Sequence, residues 1–529
     1  MYMALVFALI MDLLKGALKS LRINQQDVLQ LRRRESLSKY KYVPLPSDKS
    51  IRLFEFHPVN TGKRDIDLEM SIHSLEEAPS FECLSYMWGN PTFAFSRLTA
   101  QSNKEYGTNV EITISGGALL VARNLHDALK VLRRRTGCHA TTHYYWVDAI
   151  CIDQENIAER GQQVAIMDNI YCTARNTTVW VGPEDEFTKD AVMLIRDIGK
   201  IPLSRHGEVS PQHFNTEQDS TLKRLGCKPQ SHKRWLGLIA LLNRPYFSRV
   251  WIVQEILLSN AVLLVCGKHE VPWALLSNTI SFLLTSGWYR SIGVLSFREL
   301  PFIVANPGVY KSMLEDKSLD IGMTVVQLET ARTGMAQVGH LILFRHLLEA
   351  FRPSDASDAR DKIYALIGLA WKERPPFSTH PDVLVPDYSL DTREVFIKTA
   401  RLMFLGYGDL KYLCHVEDRS IRKMKGLPSW VPDYSVRLRP IPFYLLSSSG
   451  PRKYYSASKG LPFTLGNSTL LAPQLHVLGF RLSRIKSMAR FKSLFTDDAP
   501  AVWELDPAWY KVCTFAANIT TLQKRTLPP

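Results

Sequence analysis

From Pro79 onward the chain alternates short β-rich runs with stretches of helical periodicity, the pattern of an α/β domain built on a mostly parallel sheet flanked by helices. Residues 81–86 (FECLSY) predict a first strand, closed by the turn chemistry of Trp88-Gly89-Asn90-Pro91. Val110, Ile112 and Ile114 then alternate, Gly116-Gly117 supplies a two-residue turn and 119–121 returns, which predicts a hairpin. Asn124 is placed as the cap of a helix whose Leu125, Ala128, Leu129 and Leu132 share one face. Residues 144–151 predict a second parallel strand, followed by polar Asp153-Gln154-Glu155-Asn156 and a helix over about 158–174. A third strand is expected at 177–181 and a fourth at 262–266. A helix around 248–259 lies between them, and Pro272 starts another.

Length and composition set the frame for this domain. With 529 residues, 46% hydrophobic and 22% charged, the chain is neither disordered, collagenous nor a coiled-coil rod. At about 150 residues per domain it has room for roughly three units. The expected division is an N-terminal extension at 1–39 and the α/β domain at 40–285, with 200–232 as a mobile insertion. A helical region at 286–405 and a basic, β-containing region at 406–529 follow. Within these, 341–351 and 362–370 read as helices and 475–480 as a strand. Residues 1–14 are apolar but interrupted by Asp12, which predicts an amphipathic or poorly ordered start rather than a leader. No other run of 18 uncharged apolar residues occurs, so no transmembrane segment is expected. Eight cysteines without CxxC pairs suggest neither a disulfide framework nor a zinc ribbon, and point to a reducing, cytoplasmic setting.

Familiar catalytic motifs are missing: there is no Walker A pattern, GxGxxG, HExxH or GxSxG. Cys138, His139 and His143 lack a fourth ligand and a zinc spacing, so no metal is expected. The densest chemistry falls at the carboxyl ends of the first two parallel strands, where open α/β sheets place their ligand crevices. Ser85, Tyr86 and Trp88 end one strand; Asp148 and Asp153-Gln154 end the other. A crevice there would hold a ring face, hydroxyls and two carboxylates. The plainer reading makes Trp88 a core aromatic, Asp153 a helix cap and Asp148 an ion-pair partner of Arg160.

The segments 84–89 (LSYMWG), 124–129 (NLHDAL), 146–154 (WVDAICIDQ), 159–164 (ERGQQV) and 179–182 (VWVG) resemble, in order, the fungal heterokaryon-incompatibility (HET) domain. The likeness continues in 249–255 (RVWIVQE), 358–366 (DARDKIYAL) and 427–434 (LPSWVPDY), covering about 40–435. Asp153 departs from it, standing where the family usually has Asn. The family usually continues with further β-rich chain after 480, so the C-terminal unit is expected to be incomplete. The resemblance implies a role in non-self recognition and programmed cell death of filamentous fungi, through a self-associating module and an incompatibility partner protein. The strand and helix order also resembles the TIR-like, flavodoxin-like fold. Some TIR members cleave NAD with a glutamate in Trp-x-x-x-Glu, and Trp251 and Glu255 have that spacing. Glu255 is then the candidate catalytic residue, Ser85, Tyr86, Trp88, Asp148 and Trp251 shape the ligand crevice, and NAD is a substrate with no resident cofactor. An i, i+4 aromatic wall would shield the carboxylate and raise its pKa. The alternative is a helix glutamate paired with Arg249 or Lys268.

A further reading starts from charge. Of a net +14, nearly all lies between Arg419 and Lys492, which hold fourteen Lys or Arg against one acidic residue, Asp433. With interleaved aromatics this stretch would suit nucleic acid or anionic lipid. A solvated face, or a complement to an acidic surface of the same chain, is the favoured explanation.

Overall fold

The computed structural model describes residues 37–57, 66–92, 103–136, 143–289, 292, 323–338, 344–370, 384–407, 410–438 and 474–475. Nine strands form one sheet: β1 (Ser50–Phe56), β2 (Asp67–Ser74), β3 (Phe81–Ser85), β4 (Asn109–Ile114), β5 (Gly117–Ala122), β6 (Tyr144–Trp146), β7 (Asn176–Trp180), β8 (Val262–Cys266) and β9 (His269–Pro272). Their spatial order is β5-β4-β2-β1-β6-β3-β7-β8-β9. Four of the eight pairings are parallel and four antiparallel, so the α/β architecture holds but the sheet is mixed rather than mostly parallel. The difference comes largely from β1 and β2, which precede the alternation at Pro79 and pair antiparallel with each other, and from the short β9 at the far edge.

The parallel block β6-β3-β7-β8 positions the site. Counted along the chain its order is 2-1-3-4, so β6 lies on one side of β3 and the chain then crosses to β7 on the other, the strand order that opens a crevice at the carboxyl ends. All five β3 residues are buried, as expected for a strand covered on both faces. The predicted hairpin is present, with β4 and β5 pairing from Asn109–Ala122 to Ile114–Gly117 and Gly116 at φ +79° in the turn.

Local chemistry moved several boundaries. The predicted strand 144–151 ends at Trp146, because Asp148 turns its carboxylate onto the Ala149 N–H (2.8 Å) and a short helix, Asp148–Cys151, follows. The helix expected over 158–174 divides at Ile166 into Ile157–Ala165 and Met167–Thr173. Asn124 does not cap its helix. Its amide donates to the Met87 carbonyl (2.7 Å) and accepts from the Trp180 indole N–H (2.7 Å), tying the loop after β3 to β7. The segment 200–232, expected as a mobile insertion, contains short helical turns, Leu203–Glu208, Gln212–Thr216 and Gln218–Arg224. Most of its apolar residues, Ile201, Val209, Phe214, Leu222 and Leu225, are buried while Leu203 is exposed, and Phe214 meets the edges of Trp235 and Trp288. A composition average hides such placement.

The middle region is helical where described: Met323–Val338, Phe344–Ala350, Asp361–Ala370 and Thr392–Tyr407. Residues 410–438 contain 3-10 turns and no strand, and side-chain bonds to the backbone hold them. Arg422 and Arg437 of the basic run are ion-paired inside the chain, with Glu417 and Asp355. The expected start at 1–14 and most of the expected strand at 475–480 lie outside the described residues. Among the described residues no helix is long and apolar enough to cross a membrane.

Candidate functional site

The last residue of β3 places Ser85 at the crevice, and the helix Ile252–Leu257 brings Glu255 to it. All six residues of that helix are buried, so a carboxyl on it has little water and must find partners inside. Ser85 Oγ donates to Glu255 Oε2 and accepts from the Tyr246 hydroxyl at 2.6 Å. The serine has one proton to give, which makes Tyr246 the outer donor of the chain Tyr246–Ser85–Glu255 when the carboxyl is ionised.

Arg249 supplies the positive charge. Its guanidinium donates to the Tyr86 carbonyl and lies in the field of both Glu255 and Asp148. The balance is incomplete. Burial pushes the Glu255 carboxyl up to about 7, against the lowering pull of Arg249 and the Ser85 hydroxyl, and Asp148 adds a smaller upward push. Asp148 is also raised by burial and is partly held down by Arg249. Two carboxyls and one guanidinium thus lie together, Glu255 buried and Asp148 and Arg249 half-buried, and the Glu255 carboxyl is pushed up to about 7.

Beside this cluster is a cavity of about 620 Å³, with Tyr86, Trp88, Tyr42, Lys41, Asp153 and Gln154 among its lining residues. Tyr86 belongs to both places, because it lines the cavity and its hydroxyl lies in the field of Asp148 and Glu255. Ser85, Asp148, Glu255 and Trp251 do not line it. Glu255 is only 4% exposed.

Of the residues singled out in the sequence, Ser85, Tyr86, Asp148 and Glu255 come together, and Trp88 stands over the cavity. Trp251 does not join them. Its indole N–H donates to Asp361 (3.1 Å), whose other oxygen accepts from the Tyr388 hydroxyl (2.8 Å), so no aromatic wall from Trp251 shields Glu255. Trp88 is not a core aromatic, being 54% exposed. Asn156 rather than Asp153 caps the helix Ile157–Ala165. Asp148 faces Arg249, whereas Arg160 stacks on Tyr388 at 4.7 Å. Lys268 pairs with Glu184 and leaves Arg249 as the cation of Glu255. Sequence reasoning missed Tyr246, and the segment of Lys41 and Tyr42 that walls the cavity, because these come from distant parts of the chain with no motif of their own. Among the described residues no group of three or more His, Cys, Asp or Glu is arranged to hold a metal ion, and Cys138 and His139 lie outside them.

The family model for Heterokaryon incompatibility protein (HET) matches residues 81–255, from the first residue of β3 to Glu255 itself. Heterokaryon incompatibility protein 6, OR allele, of Neurospora crassa is 24% identical over 444 residues, which cover 76% of this chain. The chain spans 60% of the length of that curated relative. No solved structure matches. From the strand bearing Ser85 to the helix bearing Glu255, residues 81–255 of this chain are thus similar to the heterokaryon-incompatibility (HET) domain.

Proposed function

We propose that the chain acts in heterokaryon incompatibility, as a cytoplasmic, self-associating module of non-self recognition whose activation leads to growth arrest and cell death. The core of that module is TIR-like in this reading. The 2-1-3-4 order of the parallel strands, which is that of flavodoxin-like sheets, supports it. The observation that carries the proposal is the family match ending on the buried Glu255–Ser85 pair at the switch point of the sheet. Induced expression of the chain in a filamentous fungus is expected to arrest growth, with the protein sedimenting as an oligomer. Arrest by a strictly monomeric variant would exclude self-association, and absence of arrest would exclude the effector role.

A second reading is favoured by one feature, a carboxyl that titrates at about 7. In it Glu255 serves an NAD hydrolase. The bond between nicotinamide and ribose breaks, its electron pair leaves with nicotinamide, and the ionised carboxylate stabilises the oxocarbenium ion. Water then adds to the ribosyl carbon and loses its proton to solvent. Arg249 and the Ser85 hydroxyl favour the ionised form of Glu255 against the upward push of burial, and Ser85 fixes the orientation of its carboxylate. Because Glu255 lies off the cavity, Tyr86 has to move for substrate to reach it. Concentrated protein incubated with NAD should release nicotinamide, and Glu255→Gln should release none; equal release by both proteins would end this reading.

A further inference from the structure

The cavity beside Trp88 has features that the Glu255 cluster does not use. Trp88 is the one exposed tryptophan among the described residues, and its neighbours in the lining, Tyr42 and Tyr86, are aromatic too. Lys39 of the lining is neutralised by Glu155 at 2.7 Å, whereas Lys41 makes no ion pair or hydrogen bond among the described residues. Asp153 uses one oxygen on the Glu155 N–H (3.1 Å) and keeps the other. Gln154 commits its amide N–H to the Asp148 carbonyl (2.9 Å) and keeps its oxygen. The cavity therefore offers a flat face, one free cation and two free acceptors.

These groups define a ligand. A flat face asks for a planar ring, a lone lysine for one anionic group, and a carboxylate beside an amide oxygen for a pair of hydroxyls. A carboxylate takes the ribose hydroxyls in the same way in dinucleotide-binding sheets. An acyl chain is a poor fit, since it would leave Lys41 and Asp153 desolvated without partners. A volume of about 620 Å³ falls within the range of roughly 300–1,000 Å³ usual for small-molecule sites. The position, outside the carboxyl end of β3 at the switch point, is where such sheets bind their ligands.

We propose that the cavity bounded by Trp88, Lys41 and Asp153 is a binding site for a nucleoside monophosphate, with the base on Trp88, the phosphate on Lys41 and the ribose hydroxyls on Asp153 and Gln154. The site is distinct from the Glu255 carboxyl, which does not line it, and adjoins that cluster through Tyr86 and through the Gln154 bond to the Asp148 carbonyl. It rests on no assumption about bond cleavage.

Equilibrium dialysis of the full chain against labelled AMP tests it. Saturable binding is expected, weakened at least about tenfold by Trp88→Leu, the loss expected when a base loses its stacking partner. Trp88 is half in solvent, so the variant should keep the far-ultraviolet circular dichroism of the wild type. Lys41→Met should weaken binding several-fold and flatten its salt dependence. Glu255→Gln should bind as wild type does, whatever happens to nicotinamide release. The proposal is overturned if AMP does not saturate at millimolar concentration or if Trp88→Leu binds equally well. It is also overturned if ribose 5-phosphate, inorganic phosphate or free tryptophan displaces AMP as well as AMP itself does, or if Glu255→Gln abolishes binding.

Discussion

Two buried charge clusters in this molecule have opposite designs. At the end of β3, Glu255 has one hydrogen-bond donor in Ser85, one shared cation in Arg249 and a second carboxyl in its field, and its pKa rises to about 7. In the segment 410–438, Glu417 takes Arg352 on one oxygen (2.6 Å) and Arg422 on the other (2.6 Å), and Asp433 N–H adds a third bond (2.9 Å). Asp433 in turn accepts the N–H groups of Lys423 (2.9 Å), Met424 (2.8 Å) and Ser435 (3.0 Å) together with the Ser435 hydroxyl. Burial pushes the Asp433 carboxyl up, but the Ser435 hydroxyl and these N–H groups outweigh it and hold the pKa below the usual carboxylate value. A saturated cluster fixes structure, whereas an under-compensated one keeps a proton available near neutral pH. That difference is what the proposed role of the first cluster rests on.

Breaking the saturated cluster should have the largest effect. Glu417→Ala strips the partner from Arg352 and Arg422, the first of which is fully buried. Removal of one member of a buried pair typically costs about 3–5 kcal/mol. Urea unfolding should show a loss of that order at pH 7. A loss below about 1 kcal/mol would mean that the network is dispensable and the contrast with Glu255 is not one of structure against function.

The Glu255 cluster should show its character through pH. A carboxyl whose folded pKa is raised stabilises the native state relative to its ionised form fully below the unfolded value of 4.5. That contribution is lost as pH rises through the folded value of about 7. Wild type should therefore lose stability relative to Glu255→Gln between pH 5 and pH 8, by an amount on the order of 3 kcal/mol at the upper end. Asp433, with its lowered pKa, gives stability present above 3.8 and lost only as pH falls below it, so Asp433→Asn should differ from wild type by a constant amount across the same window. Parallel curves for wild type and Glu255→Gln would remove the distinction between the clusters.

How much of this the sequence revealed follows the range of the interactions. Ser85, Tyr86 and Asp148 were legible because strand ends are marked by local turn chemistry, and Glu255 because its motif is contiguous. The role given to Trp251 failed because it assumed one continuous helical face. Trp251 precedes the helix as its N-cap, and the six-residue helix is packed on all sides, so the two side chains meet different neighbours. β1 was illegible because its alternation is broken by Arg52, a residue 1% exposed whose partner Glu159 lies 107 positions away. Glu417 and Asp433 likewise turn a run read as short strands into a loop held by side chains, through bonds that no local pattern announces.

The smallest effect separates two explanations of the Glu255 pKa. If burial alone sets it, the Ser85 hydroxyl is incidental; if the hydroxyl donates, it already holds the carboxyl lower than burial would. The second is the arrangement found, because Ser85 Oγ donates to Oε2 and accepts from Tyr246. Ser85→Ala deletes the donor, and Tyr246, whose hydroxyl was bonded to that Oγ, has lost its acceptor in the cluster. A hydrogen bond to a charged group is worth about 1.5–3 kcal/mol net, so the Glu255 transition should move upward by about one to two pH units. The readout is the midpoint of the stability difference between Ser85→Ala and the double variant Ser85→Ala/Glu255→Gln, scanned from pH 5 to 9. Because both proteins lack the hydroxyl, its packing contribution cancels and only the ionisation remains. A midpoint that stayed where wild type has it would assign the raised pKa to burial and Asp148 alone. In that case the Tyr246–Ser85–Glu255 chain would be a packing arrangement, and the first cluster would differ from the second only in lacking donors.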